Sequence, residues 1–318
     1  MQTDTSPLSL NLDQIQKAAD RLNDVIIRSP LVPYLIDGRD IRLKAENLQP
    51  TGSFKIRGST NAIRALDPAE LEKGVYTASA GNFGQGLSRA ARDAGIPARV
   101  FVPENAAQIK IEALKALGAT VITKSPEEWW AIMMARRAQG ERGKFMHPCA
   151  DPAVIAGNAT IGMEIIEDWP DVETILVPFG GGGLALGIAM GAKLLKPGVR
   201  VLACESEAAT PLARAFEEGA PVTVPFETST FITGIGSSSV LPELWPALQH
   251  WIDGTLRTTV LAARHAVKSI AMDCHMVAEG AGAVPLACAL HTPDLGRVVS
   301  VVSGGNIDAA SLADILAT

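Results

Sequence analysis

The chain has 318 residues, enough to bury one large core or two modest ones, with 47% hydrophobic and only 19% charged side chains. A formal net charge of -6 leaves no basic face for nucleic acid or anionic lipid, so polyanion binding is excluded as a main role. Cys149, Cys204, Cys274 and Cys288 show no C-x-x-C spacing and the five histidines form no helix-spaced pair, which argues for buried reduced thiols and against a zinc cage.

The N-terminus carries neither a basic segment followed by an apolar core nor a transit-peptide composition, and no apolar run is long enough to span a bilayer. A reducing cytoplasm is the expected setting. Leu12, Ile15, Ala18 or Ala19 and Leu22 recur at helical spacing and predict an amphipathic first helix. Val75 to Ser79 reads as a strand, Gly86 to Ala94 as a helix stopped by Gly95, and Arg99 to Pro103 as the next strand. Ile109 to Leu117 is a helix closed by Gly118, followed by a strand over Thr120 to Thr123. Glu127 to Gly143 is polar and Arg-rich apart from Trp129, Trp130 and two methionines. The second half repeats the rhythm: strand Thr174 to Val177, helix Leu184 to Leu195, strand Arg200 to Cys204, and a last buried strand over Arg297 to Val302. Strands alternating with helices at these intervals predict parallel sheets of the α/β class. With no low-complexity linker or internal repeat, a second domain is expected to be inserted within the first, as residues 67–147 between 1–66 and 148–318.

The strongest local signal is Gly180-Gly181-Gly182-Gly183 between a buried strand and Leu184, which opens a helix. Backbone N–H groups uncovered by side chains can converge there on an anion, and the helix dipole favours negative charge. A phosphate dianion suits such a loop; a flexible turn is the plainer reading. Gly180-x-Gly182-x-x-Ala185 also satisfies the permissive dinucleotide fingerprint, with Glu205 where a ribose-binding acid would sit, so the loop alone would favour NAD. No G-K-[ST] follows, which argues against a nucleoside triphosphatase.

Three further stretches bear on the ligand: Glu46 to Gly58 with Ser53-Phe54-Lys55, Ser79-Ala80-Gly81-Asn82-Phe83-Gly84-Gln85, and Ser303-Gly304-Gly305-Asn306. With the glycine loop, they resemble, in order, the serine/threonine dehydratase and serine racemase family of fold-type II pyridoxal-phosphate enzymes. His147-Pro148, Ala153 to Gly157 and Glu279-Gly280-Ala281-Gly282 extend the resemblance over most of the chain. It implies an α/β fold like that of the tryptophan synthase β chain: two open-sheet domains with pyridoxal 5'-phosphate in the cleft between them. The larger, residues 1–66 plus 148–318, would bind the cofactor.

The resemblance also implies roles. Lys55 would bond covalently to the cofactor and later act as base at Cα, which a lysine does where desolvation or a neighbouring cation lowers its pKa. Phe54 would pack near the ring, Asn82 would donate to its phenolic oxygen, and Gly180 to Gly183 with Leu184 would hold the phosphate. Gly234, in a Thr233-Gly234 pair where relatives carry Asp-Gly, would lie against the cofactor. Ser303 would hydrogen-bond the pyridine nitrogen; a hydroxyl cannot keep that nitrogen protonated, and the weaker electron sink favours β-elimination. Ser79, Ala80, Gly81, Asn82 and Phe83 would receive the substrate carboxylate. The implied activity is that of a hydroxy-amino-acid dehydratase (ammonia-lyase), a lyase of amino-acid catabolism, and the implied assembly a homodimer.

Departures from the family sharpen the reading. Racemases carry a proton-donating serine at the position of Ala80, which has no proton to give, so racemisation is disfavoured. Phe83 replaces a common histidine and Asn158 a common glutamine. Glu205 and Ala209 match two ligands of the divalent-cation site of some relatives, but the third position falls at Pro211, so the expectation includes no assured metal. The chain ends soon after Ser303, and the C-terminal regulatory domain of biosynthetic threonine dehydratases is not expected. An ungapped count back from His147 places Trp130 where racemase relatives carry an arginine. Trp129, Trp130, Phe83 and Tyr34 are therefore read as an apolar pocket for a bulky or aryl 3-substituent, as in phenylserine. The alternatives are a racemase or β-replacement synthase of the same fold, and an NAD-dependent oxidoreductase resting on the fingerprint and Glu205.

Overall fold

The computed structural model describes residues 8–36, 38–227 and 230–318. Asn11 caps α1 (Leu12–Leu22) in a reciprocal pair with Gln14, worth about 1 kcal/mol, and Ile15, Ala18 and Leu22 turn inward. A hairpin of β1 (Leu31–Ile36) and β2 (Arg39–Ala45) follows, turning at Gly38 with φ 70°. Its second strand reads Arg-Asp-Ile-Arg-Leu-Lys-Ala, whose buried Lys44 hides the strand pattern in the sequence.

Next come α2 (Lys55–Arg64), α3 (Pro68–Lys73), β3 (Val75–Ala78), α4 (Asn82–Asp93), β4 (Ala98–Pro103), α5 (Gln108–Ala116), β5 (Thr120–Lys124), α6 (Pro126–Ala135) and β6 (Lys144–Phe145). The described chain is completed by α7 (Pro152–Asp168), β7 (Thr174–Pro178), α8 (Gly183–Leu195), β8 (Arg200–Ser206), α9 (Pro211–Glu218), α10 (Trp245–Trp251), β9 (Gly254–Thr258), α11 (Val260–Cys274), α12 (Gly280–His291), β10 (Val298–Val302) and α13 (Ala309–Ala317). Among the described residues no helix is long and apolar enough to cross a membrane.

The strands form a six-stranded sheet, ordered β1-β2-β10-β7-β8-β9, and a four-stranded sheet, ordered β5-β4-β3-β6. All pairings are parallel except β1 with β2. The four-stranded sheet lies in sequence wholly between β2 and β7 of the other. Strands buried on both faces explain the apolar composition. Ile175, Val177, Val299 and Val301 face a core shared with α1, α7, α8 and α10, whereas Leu176, Val298 and Val302 face α11 and α12. In the smaller sheet Val75, Val100 and Val102 meet α2, α4 and α5; Tyr76 and Phe101 meet Ile132 of α6.

Two expectations change, and a segment without a predicted element forms a helix. The helix expected from Gly86 begins at Asn82, because Gly84 belongs to its first turn: a Cβ there would sit 2.1 Å from the Ser79 carbonyl oxygen. The polar segment after Glu127 contains α6, opened by a Ser125–Glu128 capping box. Cys204 and Cys288 are buried free thiols as expected, but Cys149 and Cys274 are partly exposed.

A fully buried ionic network ties α2 to β2 and α7. Arg57 donates to Glu46 (Nε–Oε2 2.8 Å, Nη2–Oε1 2.8 Å), to Glu164 (Nη1–Oε1 2.6 Å, Nη2–Oε2 2.9 Å) and to Thr160 Oγ1 (3.0 Å). Lys44 Nζ donates to Glu164 Oε2 at 2.6 Å and to the Ser29 carbonyl at 2.7 Å. Burial by itself would raise the Glu46 carboxyl, but the charge and hydrogen bonds of Arg57 hold it below the usual range. Two cations and two carboxylates thus balance in a buried layer one turn from Lys55.

Candidate active site

Lys55 is the first residue of α2, and its start is pinned from the C-terminal side of the chain. Phe54 N–H donates to the Ser303 carbonyl at 3.0 Å, Ser53 bridges Gly304, and Gly305 N–H donates to the Gly52 carbonyl at 2.9 Å. The Lys55 side chain enters a cavity of about 540 Å³ lined by residues from both sheets. Its Nζ donates to the Pro148 carbonyl at 3.2 Å and lies 4.8 Å from the Phe54 ring centroid and 5.6 Å from that of Phe83.

Helices α2, α4 and α8 all present their N-terminal ends to this cavity. The first N–H groups of a helix have no intrahelical acceptor, so such a site attracts anions. At the start of α8 the glycines are obligatory. A Cβ on Gly181 would meet Cys149 Sγ at 2.3 Å, one on Gly183 would meet the Cys149 carbonyl at 2.4 Å, and Gly182 has φ 90°. This backbone cradle can hold a phosphate. The start of α4, with Ser79 to Phe83, offers a second group of N–H donors suited to a carboxylate.

The residues that the sequence singled out for the cofactor and the substrate carboxylate line this cavity: Phe54, Lys55, Ser79, Ala80, Gly81, Asn82, Phe83, Gly180, Gly181, Gly182, Gly183, Leu184, Gly234 and Ser303. Glu205 and Ala209 do not. Glu205 instead accepts from the N–H groups of Leu212 and Ala213 at 2.8 and 3.0 Å, at the start of α9. A carboxylate engaged this way is not presented to a ribose, which removes the second support for the NAD alternative. Its carboxyl is pushed up to about 7 by burial, against those two backbone bonds.

The apolar pocket is partly corrected. Trp129 and Phe83 line the cavity, joined by Met133, Pro103 and Phe226. Trp130 is 53% exposed and Tyr34 packs in the core beside α11. The ungapped count from His147 put Trp130 at the pocket; the geometry of α6 puts Trp129 there, with its Nε1 donating to the Phe101 carbonyl at 3.1 Å. Lys55 is the only basic side chain among the described lining residues.

Two participants carried no role in the sequence reading. Glu279 lies in the cavity wall, buried, with its carboxyl pushed up to about 7 by burial. One sign of it was legible: a lone acid in the apolar run Met276-Val-Ala-Glu-Gly-Ala. Cys149 lies against the glycine cradle, and only the fold brings those segments together.

His147 shapes the turn that carries the Pro148 carbonyl. Its Nδ1 accepts from the N–H groups of Cys149 (3.1 Å) and Ala150 (2.9 Å), so the neutral ring is the one that fits. Burial, with the charges of Arg136 and Lys55, pushes its pKa down to about 4. A folded pKa below the unfolded value means the stabilisation is present above pH ~6.5 and is lost as pH falls through about 4. His147→Asn, which keeps an acceptor but does not titrate, should therefore gain on the wild type by up to about 3 kcal/mol across that window. Denaturant melts at several pH values measure this; parallel stability curves would refute it.

Comparison with known proteins gives a consistent picture. A family model described as pyridoxal-phosphate dependent enzyme matches residues 22–304. The chain is 38% identical over 310 residues to an L-threonine ammonia-lyase of Geobacter sulfurreducens, covering 95% of this chain and 77% of that one. It is 34% identical over 319 residues to a catabolic L-threonine dehydratase of Staphylococcus aureus, covering 96% and 92%. The structure of maize serine racemase superposes with a TM-score of 0.90 at 31% identity, covering 96% of this chain and 97% of that chain. The cavity fits pyridoxal phosphate on its own chemistry: an amine for the aldehyde, a side-chain-free cradle for the phosphate, and polar groups at Asn82 and Ser303 for the ring.

Proposed function

Because the chain belongs to the family of pyridoxal-phosphate dependent enzymes, we propose that it eliminates water from a 3-hydroxy amino acid, releasing ammonia and a 2-keto acid. The observation that carries this reading is the placement of Lys55: one amine in the cavity, with Ala80 rather than a proton donor in the wall. The names of its threonine ammonia-lyase and dehydratase relatives support it.

In this reading Gly180 to Gly183 and Leu184 hold the phosphate, Phe54 packs near the ring, Asn82 and Ser303 meet its oxygen and nitrogen, and Gly234 closes the wall. The cofactor supplies the covalent anchor for the substrate amine and the electron sink for the bond broken at Cα. The N–H groups of Ser79 to Phe83 hold the substrate carboxylate and so fix the Cα–H bond toward Lys55. Lys55 Nζ takes that proton, the Cβ–O bond breaks, and the departing hydroxide is balanced by the proton lost from Cα and leaves as water. The released enamine hydrolyses to keto acid and ammonia. Ala80 gives no proton to the opposite face, so the chain deaminates rather than inverts. Residues 67–147 act as the inserted domain over the rest of the chain, and exposed Leu35, Leu261 and Met272 offer apolar surface for a homodimer.

The substrate's 3-substituent faces Phe83, Pro103, Trp129 and Met133, with no arginine or histidine among the described lining residues to receive a second carboxylate. The reading therefore favours apolar and aryl substituents over acidic ones. Phenylserine and threonine should be turned over faster than serine, and 3-hydroxyaspartate hardly at all. Trp129→Ala should narrow the phenylserine-to-serine ratio of kcat/KM by about tenfold, the worth of one aromatic contact. A preference for 3-hydroxyaspartate would sink the substrate assignment, and an inverted amino acid without keto acid would sink the elimination itself.

A further inference from the structure

Both ends of the Asn82 side-chain amide are held from the far side of the cleft, by residues packed with the larger sheet. Its Nδ2 donates to both oxygens of Glu279, at 2.9 and 3.2 Å, while its Oδ1 accepts from Asn306 Nδ2 at 2.9 Å. Asn306 Nδ2 also donates to the Thr51 carbonyl at 2.9 Å. An isolated amide can present either end, but this chain is anchored by groups whose polarity is not in question. The Thr51 carbonyl can only accept, so the Asn306 nitrogen faces it. That nitrogen's second hydrogen then needs an acceptor, and Asn82 must offer its oxygen. The other end of Asn82 meets a carboxylate, which takes the nitrogen. A bond shared between two oxygens of one carboxylate uses one hydrogen and leaves a second N–H on Asn82, in the cavity wall.

The three residues come from separate parts of the fold. Asn82 opens α4 after β3 of the smaller sheet; Glu279 precedes α12 and Asn306 follows β10 of the larger one. Glu279 is itself held, since its N–H donates to the Gly304 carbonyl at 2.9 Å. We propose that Glu279 and Asn306 are positioning residues that lock the Asn82 amide with nitrogen, not oxygen, toward the cofactor ring, and so close the two halves of the cleft on it. The inference rests on the reading above that Asn82 meets the cofactor.

A protonated Glu279 becomes a donor and competes with the Asn82 nitrogen. The groups facing it are Lys55 of α2, Lys110 of α5, the Asn82 amide and the Asn306 backbone N–H. Burial is the largest influence on this carboxyl and brings its titration to about 7. The lock therefore weakens as pH falls through that value.

The test uses the holoenzyme, read by its visible absorption and by the cofactor's dissociation constant from equilibrium dialysis. Asn82→Ala, Glu279→Leu and Asn306→Ala should each weaken cofactor retention by about tenfold, the effect of a charge-assisted or buried hydrogen bond, and shift the absorption band. The doubles Asn82→Ala/Glu279→Leu and Asn82→Ala/Asn306→Ala should be no worse than Asn82→Ala alone, because all act through one amide. Glu279→Gln keeps an acceptor oxygen and should retain cofactor within about threefold of the wild type while losing its spectral change near pH 7. Multiplying effects in the doubles, or the same pH midpoint in Glu279→Gln, would overturn the lock. An Asn82→Ala protein with the wild-type spectrum and affinity would remove the underlying placement of Asn82 as well, so the two failures are distinguishable.

Discussion

Replacing Lys55 with alanine is expected to lower deamination by on the order of 10³-fold or more and to leave no chromophore that borohydride fixes to the chain. The size follows from the double duty of this amine. It is the only basic side chain among the described residues of the cavity wall, so no neighbouring group inherits the proton at Cα. Its position at the first residue of α2, braced by the Phe54–Ser303 and Gly305–Gly52 backbone bonds, cannot be reproduced by solvent. A small primary amine added to the variant should restore part of the activity, because it supplies a base without the tether. Activity of the wild-type level without any added base would end the proposal.

The second large effect is on stability. Arg57→Met should destabilise the fold by about 3–5 kcal/mol, since it leaves the buried carboxylates of Glu46 and Glu164 facing Lys44 alone. The loss is one of charge balance more than of packing, so Arg57→Met/Glu46→Gln should recover a substantial part of it. Denaturant midpoints of the single and double variants measure this. A single variant as stable as the wild type, or a double that loses the sum of both, would contradict the account. Part of the damage should appear as a weaker cofactor site, because α2 carries Lys55 at the end this network anchors.

The chemistry was legible in the sequence because it depends on short segments. The run Gly180 to Gly183 after an apolar strand keeps its meaning as bare backbone wherever it folds, whereas Lys55 and Asn82 take theirs from the resemblance of the segments around them. The alternation of apolar strands and helices was equally readable, since strands buried on both faces leave few polar residues. What was misread depended on partners distant in the chain. β2 was hidden because Lys44 looks exposed until Glu164 is found beside it, and α4 lost its first turn because Gly84 looks like loop until the Ser79 carbonyl fills the space. Counting placed both Trp129 and Trp130 in the pocket, but a helix presents successive residues about 100° apart, and the turn of α6 lets only Trp129 face in.

Residue types and local spacing by themselves therefore determined the α/β class and an anion-suited glycine turn, while the resemblance of several segments taken together pointed to Lys55 and to Ala80. Only the tertiary structure decided that the starts of α2, α4 and α8 converge on one cavity, that Glu205 serves α9, and that Glu279 and Asn306 grip the same amide. The reason is physical. A backbone turn or a nucleophile is a property of a few consecutive residues, whereas a buried charge, a hydrogen-bond direction or a cavity wall exists only between segments that the fold brings within a few ångströms.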